Sequence, residues 1–539
     1  MPLSTLLRGA VLGLGLLLLA VEVLQPSRRA ARAAEAGLAG LAMLNVAFLA
    51  FLCADHIRFP LFLELMEGTI WQHFQRAATL QPIYVAPAPG FVPLAYNPLY
   101  YVVAIPFSWI FGAGLFTLRL VACLATLGSL LVLYLVARDK TGSAWWGLSA
   151  AGLFAAAYRV MDASLDNAHS DSCFLLAALL GCLVIDRSRT RAGELSGIAL
   201  LAASFWFKQH GALFLIGGLV FLSVRNGVRR CLPHWLLAAL LGPAAYLLGG
   251  PVAFGPFFHY FTWSVPRGWT EVNVETFRRY FKFVYKSYPV LAWAGASLVL
   301  WNALRQRSRL DIWQVLLAFA ALSGLMGAFD PGSSDNVFIA MGTWFVLVGV
   351  LGLEAAARQS GAVRRYRLHL VALFAAFATL AYDPREVVVS PHARESYADL
   401  MGLLRGLDGP VYAPWLGQLP ADYELRPAAH WVALEDLIRG PGKDTRNNPL
   451  TRGLVKPALN PAGPAYLLTH QPIEDRPELA FLGEHYVLQQ DLGERFKPLR
   501  LLPKRWDHGW PRYLYRFRVE QGGAAPRVRA AHSRAIALN

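Results

Sequence analysis

Long apolar runs recur along the first 382 residues, at about 3–24, 36–54, 119–137, 144–161, 172–186, 194–208, 211–224, 233–250, 289–304, 310–328, 337–357 and 368–382. A bilayer core about 30 Å thick asks for about 20 such residues in a helix. The pattern therefore predicts about twelve transmembrane helices, several of them short. The stretch 98–113 is apolar too and reads as a juxtamembrane helix returning along the surface. Beyond 382 the pattern changes. Pro, Gly and charged residues rise, and short strand-like runs appear at 386–390, 410–413, 465–469 and 513–518. Helical patterns lie between them, at 397–407 and 431–438. The fold class read from this is a polytopic α-helical membrane protein over 1–382, with a soluble α/β domain over 383–520. A basic tail at 521–539 lacks periodicity and reads as disordered.

Composition agrees with that class. Of 539 residues, 55% are hydrophobic and only 16% charged, a balance rare in soluble chains. The first apolar run is longer than the core of a secretory signal, and Arg28, Arg29 and Arg32 follow it, so it reads as a retained span. The net charge of +15 is spread between spans and forms no stripe, which argues against nucleic acid. Its main source is short Arg-rich loops, as the positive-inside rule expects; affinity for anionic lipid phosphates adds to it. The five cysteines lie in or beside apolar segments, without metal-type spacing, and none follows Cys231, so no disulfide holds the C-terminal region.

Six basic loops, at 28–32, 138–140, 187–191, 225–230, 305–309 and 358–367, fall on one side when the spans alternate. The other side then holds the loop 55–101, the turn 162–171, the break at Lys208, Gln209 and His210, the loop 251–288, the turn 330–336 and everything after Tyr382. Acids, histidines and amides gather there. In a bacterium that side of the inner membrane faces the periplasm. The loop 55–101 is rich in Pro and aromatics and carries Asp55, Glu64 and Glu67 near the membrane surface. Lipid cannot satisfy its backbone, so it sits in water or lines a cavity.

A resemblance enters through this loop. Glu67-Gly-Thr-Ile-Trp, then Gln81-Pro-Ile-Tyr84, then Tyr96-Asn-Pro-Leu-Tyr-Tyr101, then Gly112 and Arg119, resemble the first outer loop of GT-C membrane glycosyltransferases of the protein mannosyltransferase and aminoarabinose transferase type. Asp171 before a span, Lys208-Gln209 between short spans, and 332–336 before another span follow in the same order. Glu67-Gly68 stands where those families usually carry paired Asp-Glu acids. The resemblance implies inverting transfer of a sugar from a polyprenyl-phosphate carrier to a hydroxyl of a lipid, glycan or protein. It leaves open a divalent cation (Mg or Mn).

That chemistry needs a general base for the hydroxyl and cationic donors for the leaving phosphate. Glu67 is the expected base, with Asp55 and Glu64 as alternatives on the same loop. Asp171 is expected as a second acid that holds the acceptor or a cation, with His169 beside it and Asp166 as a competitor. Lys208, deep in the apolar run FWFKQHGALF, is expected to contact the carrier phosphate, because a lysine so placed needs a partner or water. His210 either assists or caps the turn. Arg267 and Arg279, on the aromatic-rich loop 251–288, are expected at the lipid phosphate and prenyl chain or on an amphipathic surface helix. Asn336 and Tyr96 complete the expected binding set. Two rival classes predict other features: a flippase would carry charges in mid-span and repeat symmetry, and a non-catalytic envelope-polymer scaffold would place its function in the C-terminal domain.

Overall fold

The computed structural model describes residues 3–24, 28–88, 90–304, 310–359, 368–413, 415–416, 429–439, 465–475, 480–502 and 510–518. The expected tail 521–539 and the basic loop 305–309 lie outside the described residues.

The apolar runs are helices: α1 (Leu3–Leu24), α2 (Arg28–His56), α3 (Met66–Ala78), α4 (Leu99–Phe111), α5 (Leu115–Thr141), α6 (Ala144–Ala156), α7 (Asp171–Arg187), α8 (Arg191–Phe207) and α9 (Gly211–Asn226). Helices α10 (Leu232–Ala239) and α11 (Gly250–Phe254) flank a π-helical stretch, Leu240–Gly249, that contains Pro243. A proline cannot donate its backbone hydrogen bond, and the wider coil absorbs the loss. The chain continues through α12 (Val265–Gly268), α13 (Val274–Ser287), α14 (Pro289–Leu304), α15 (Ile312–Ala328), α16 (Ile339–Gln359) and α17 (Leu368–Leu380). Among the described residues four helical segments are long and apolar enough to cross a bilayer: Arg32–His56, Leu115–Thr141, Val228–Phe254 and Asp335–Gln359. Seven apolar helices are shorter, α4 among them.

Small residues let the helices approach closely. A Cβ on Gly152 would lie 2.4 Å from the Ala42 side chain, where α6 crosses α2. With no hydrophobic force between helices in lipid, such close backbone contact is a main source of association.

The C-terminal region holds α18 (Pro391–Arg405), α19 (Trp431–Ile438) and a small sheet. Its strands are β1 (Val411–Tyr412), β2 (Tyr466–Thr469), β3 (Tyr486–Asp491) and β4 (Tyr513–Phe517), in the order β1-β2-β4-β3. β1 pairs parallel to β2, and β4 pairs antiparallel to both β2 and β3. The run 386–390, expected as a strand, is not one. Its backbone is committed elsewhere: Val387 O lies 2.6 Å from His56 Nε2, and Val389 N donates to Asp55 Oδ2 at 3.0 Å. Ser390 then caps α18. The segment is a strap that ties the C-terminal region to the end of α2.

Candidate active site

A cavity of about 820 Å³ opens between the helices and the C-terminal region. The loop before α3 lines it from Leu61 to Met66, and Ala95 and Tyr96 follow. The turn before α7 contributes Asp162, Ser164, Asn167 and His169, and the break before α9 gives Lys208, Gln209 and His210. Arg267 and Trp269 come from around α12, and Asp330 to Asn336 from the turn after α15. The C-terminal region closes it with Trp415, Glu435, Asp436, Arg439 and Trp510, among others.

Buried electrostatics hold these pieces in place. Arg119 and Glu67 form an ion pair with both side chains fully covered. The Glu67 carboxylate accepts four hydrogen bonds: from Arg119 Nε at 2.9 Å and Nη2 at 2.5 Å, from Leu63 N at 2.7 Å and from Ala168 N at 2.7 Å. Arg119 also donates to the carbonyls of His56, Phe59 and Leu61. One guanidinium and one carboxylate thus staple the loop before α3 to the turn 162–171. That turn is strained, since Asp162 and Ala163 are left-handed at φ 62° and 48°. Such geometry persists where surrounding contacts over-determine it. Asp166 adds a second anchor, with His56 Nδ1 at 2.8 Å and the Tyr158 hydroxyl donating at 2.7 Å.

A second hub stands behind the cavity wall. Lys208 Nζ donates to Asp171 Oδ1, Asn336 Nδ2 donates to Oδ2 at 2.9 Å, and His169 Nδ1 lies 2.6 Å from Oδ2. Lys208 can sit in this apolar setting because Asp171 faces it. An ammonium has three donors. Asp171 is the only recorded partner of the Lys208 side chain among the described residues. Arg267, exposed on the wall, has no recorded side-chain partner among them.

Acids line the wall as well. Arg439 donates to Asp330 at 2.5 Å, lies 4.0 Å from Asp436 and sits over the Trp269 ring. Gly332 permits that approach, because a Cβ there would stand 2.1 Å from the Arg439 guanidinium. Burial pushes the Asp436 carboxyl up to about 8; Arg439 opposes the shift, and Asp330 and Glu435 add to it. The Tyr96 phenol is raised well above its ordinary value, first by burial and then by Asp436, Asp171, Asp330 and Glu64.

The sequence-expected residues divide sharply. Six of the seven expected binding residues line the cavity: Lys208, His169, His210, Tyr96, Arg267 and Asn336. Arg279 does not. It donates to the backbone and side chains of 330–335 and so shapes the turn that forms the wall. None of the three expected catalytic acids is on the wall. Glu67 is saturated by its four donors, Asp171 lies behind Lys208, and Asp55 holds Arg394 at 2.6 Å and the strap. The wall acids are Glu64, Asp162, Asp330, Glu435 and Asp436. Sequence reasoning passed over Glu435, Asp436 and Arg439, which reach the site by the docking of α19 and carry no local signal of it. Among the described residues no three His, Cys, Asp or Glu side chains converge as a metal site, so no step is assigned to the Mg or Mn left open above.

Residues 97–248 match the family model described as dolichyl-phosphate-mannose-protein mannosyltransferase. No curated protein matches the chain. Similar solved structures include ArnT from Cupriavidus metallidurans bound to undecaprenyl phosphate, at 14% identity and TM-score 0.48, covering 88% of this chain and 98% of that one. The apo form of the same protein gives 14% and 0.49, covering 88% and 97%. The Archaeoglobus fulgidus oligosaccharyltransferase in complex with Zn and sulfate gives 12% and 0.45, covering 80% and 68%. Over 97–248 the chain is thus similar to the dolichyl-phosphate-mannose-protein mannosyltransferase family, and the motifs that resemble GT-C membrane glycosyltransferases extend on either side of that segment, from Glu67 to the turn 332–336.

Proposed function

We propose that this chain transfers a sugar, with inversion, from a polyprenyl-phosphate carrier to a hydroxyl acceptor at the outer face of a bacterial inner membrane. The observation that carries the reading is the composition of one cavity. Lys208 and Arg267 supply cations on its wall, and Glu64 supplies a carboxylate on the first outer loop. In the reaction the acceptor oxygen attacks the anomeric carbon, and the bond from that carbon to the phosphate oxygen breaks. The hydroxyl proton passes to the base and polyprenyl phosphate leaves.

Glu64 is the base in this reading, in place of Glu67. It lies on the wall, in the loop just before Glu67, and its charge reaches Tyr96. Asp171, which holds Lys208, reaches Tyr96 as well. Lys208 and Arg267 stabilise the charge that develops on the phosphate, where preorganised donors do most in a water-poor site. His169, His210, Tyr96 and Asn336 position the sugar and phosphate. Asp171, Glu67 and Asp55 act through other groups: Asp171 sets the Lys208 ammonium, Glu67 sets the loop that carries Glu64, and Asp55 holds the C-terminal strap. The C-terminal region shapes the acceptor entrance. The protein in liposomes, given a labelled polyprenyl-phosphate sugar and a lipid or glycan acceptor, is expected to form product of inverted anomeric configuration by NMR. Product with retained configuration would sink the single-displacement scheme and Glu64 as its base.

A further inference from the structure

On the cavity wall Asn167 and His169 have polar atoms without a hydrogen-bond partner, although both side chains are almost wholly covered. Asn167 is 1% exposed, and neither its amide oxygen nor its amide nitrogen meets a hydrogen-bond partner. His169 is 3% exposed, and its Nε2 is likewise unmatched. Both line the cavity. A buried amide left unmade costs stability, so proteins keep one where a ligand completes it.

The setting points to what that ligand offers. Asp171 binds Lys208 on one oxygen and faces His169 Nδ1 on the other. Nδ1 is thereby turned to Asp171, and Nε2 is the ring nitrogen left for a ligand. The amide of Asn167 presents one acceptor and two donors in a plane. Together they match neutral groups that both donate and accept, which are hydroxyls and not a phosphate. His169 shares Asp171 with Lys208, and Asn167 lines the same cavity, so a group attached to a phosphate at Lys208 lies within the space these side chains face. The turn that carries them is held by the Glu67 bond to Ala168 N, which lies between the two residues. This is a preorganised site and not a flexible loop.

We propose that Asn167 and His169 form the subsite that reads the hydroxyls of the carrier-linked sugar, with the Asn167 amide engaging two hydroxyls and His169 Nε2 pairing with a third. The inference rests on the glycosyltransferase reading above and deepens it. It assigns sugar selectivity to the turn 162–171 and carrier affinity to Lys208.

The test compares two ligand types on the full chain in nanodiscs: bare undecaprenyl phosphate, and a panel of undecaprenyl-phosphate monosaccharides. The parent is expected to bind at least one glycosylated lipid about tenfold or more tighter than the bare carrier, from hydrogen bonds of ordinary worth. Asn167→Leu, close in volume, should erase most of that preference. It should leave bare-carrier affinity within about twofold and thermal stability equal or higher, because it removes an unmatched amide. Asn167→Asp, nearly the same in shape, should lose the preference as well, since it loses both donors. A parallel loss on both ligand types, an intact sugar preference, or a clear drop in thermal stability for Asn167→Leu would overturn the subsite alone. A parent that binds neither lipid would overturn the glycosyltransferase reading and the subsite with it.

Discussion

Replacing Glu67 by Gln separates a brace from a base. The carboxylate is fully covered and takes two hydrogen bonds from Arg119 and two from backbone amides, at 2.5–2.9 Å. Gln keeps the shape but turns one acceptor into a donor, which then faces either Arg119 or a backbone N–H. It also leaves the Arg119 guanidinium charged and without a counter-ion in a site that excludes water. Breaking a buried ion pair from one side costs about 3–5 kcal/mol. That is a large share of the 5–15 kcal/mol typical of a folded domain. The expected result is therefore a lower unfolding temperature, followed by tryptophan fluorescence of the purified protein in detergent. Carrier binding and turnover should fall together with the folded fraction. Arg119→Leu combined with Glu67→Leu should be less damaging than the sum of the two single changes, because the stranded charge is gone. If Glu67→Gln instead unfolds like the parent while kcat falls by about two to four orders of magnitude, Glu67 is the base and the brace argument is wrong.

Four further outcomes follow from the same geometry. Glu64→Gln should show the converse pattern, with unchanged unfolding and a kcat lower by about two to four orders of magnitude; near-normal turnover would remove Glu64 from the mechanism. Lys208→Ala should weaken undecaprenyl phosphate binding by about ten- to a hundredfold, the worth of one charge-assisted hydrogen bond; unchanged affinity would place the phosphate elsewhere. Asp436 holds its proton more tightly in the folded protein, with a carboxyl raised from 3.8 to about 8. Its contribution to stability is therefore complete below about 4 and lost as the pH rises through 8, so Asp436→Asn should flatten the decline of unfolding temperature between pH 5 and 9; an unaltered slope would contradict this. For topology, Cys placed at Arg189 and at Gly402, both exposed, should label from opposite sides of the membrane; same-side labelling would overturn the orientation.

The helical core and much of the cavity were legible in the sequence, and for definite reasons. Lys208 interrupts an apolar run, where a polar group needs a partner, and the hub around Asp171 is that requirement met in space. The Arg-rich loops carry the expectation of sidedness, which asks for no knowledge of packing. Glu67 was harder to place, since a lone acid on an outer loop looks the same whether it faces a substrate or four donors. Its partner Arg119 lies 52 residues away, on the next long helix. Residues 386–390 have strand composition, but His56 and Asp55 take their backbone groups, a tertiary event that β-propensity does not register. The acids of α19 were invisible as site residues, although the helix itself fell where the periodicity expected it.

The most direct test of the central claim is turnover by the purified chain in liposomes with undecaprenyl-phosphate monosaccharides and a hydroxyl acceptor. The account predicts bare undecaprenyl phosphate released in equal amount to the glycosylated acceptor, and a rate that collapses in Glu64→Gln while that protein stays folded. Carrier lipid that crosses the bilayer with its sugar still attached, and no release of bare carrier with any sugar tried, would contradict it.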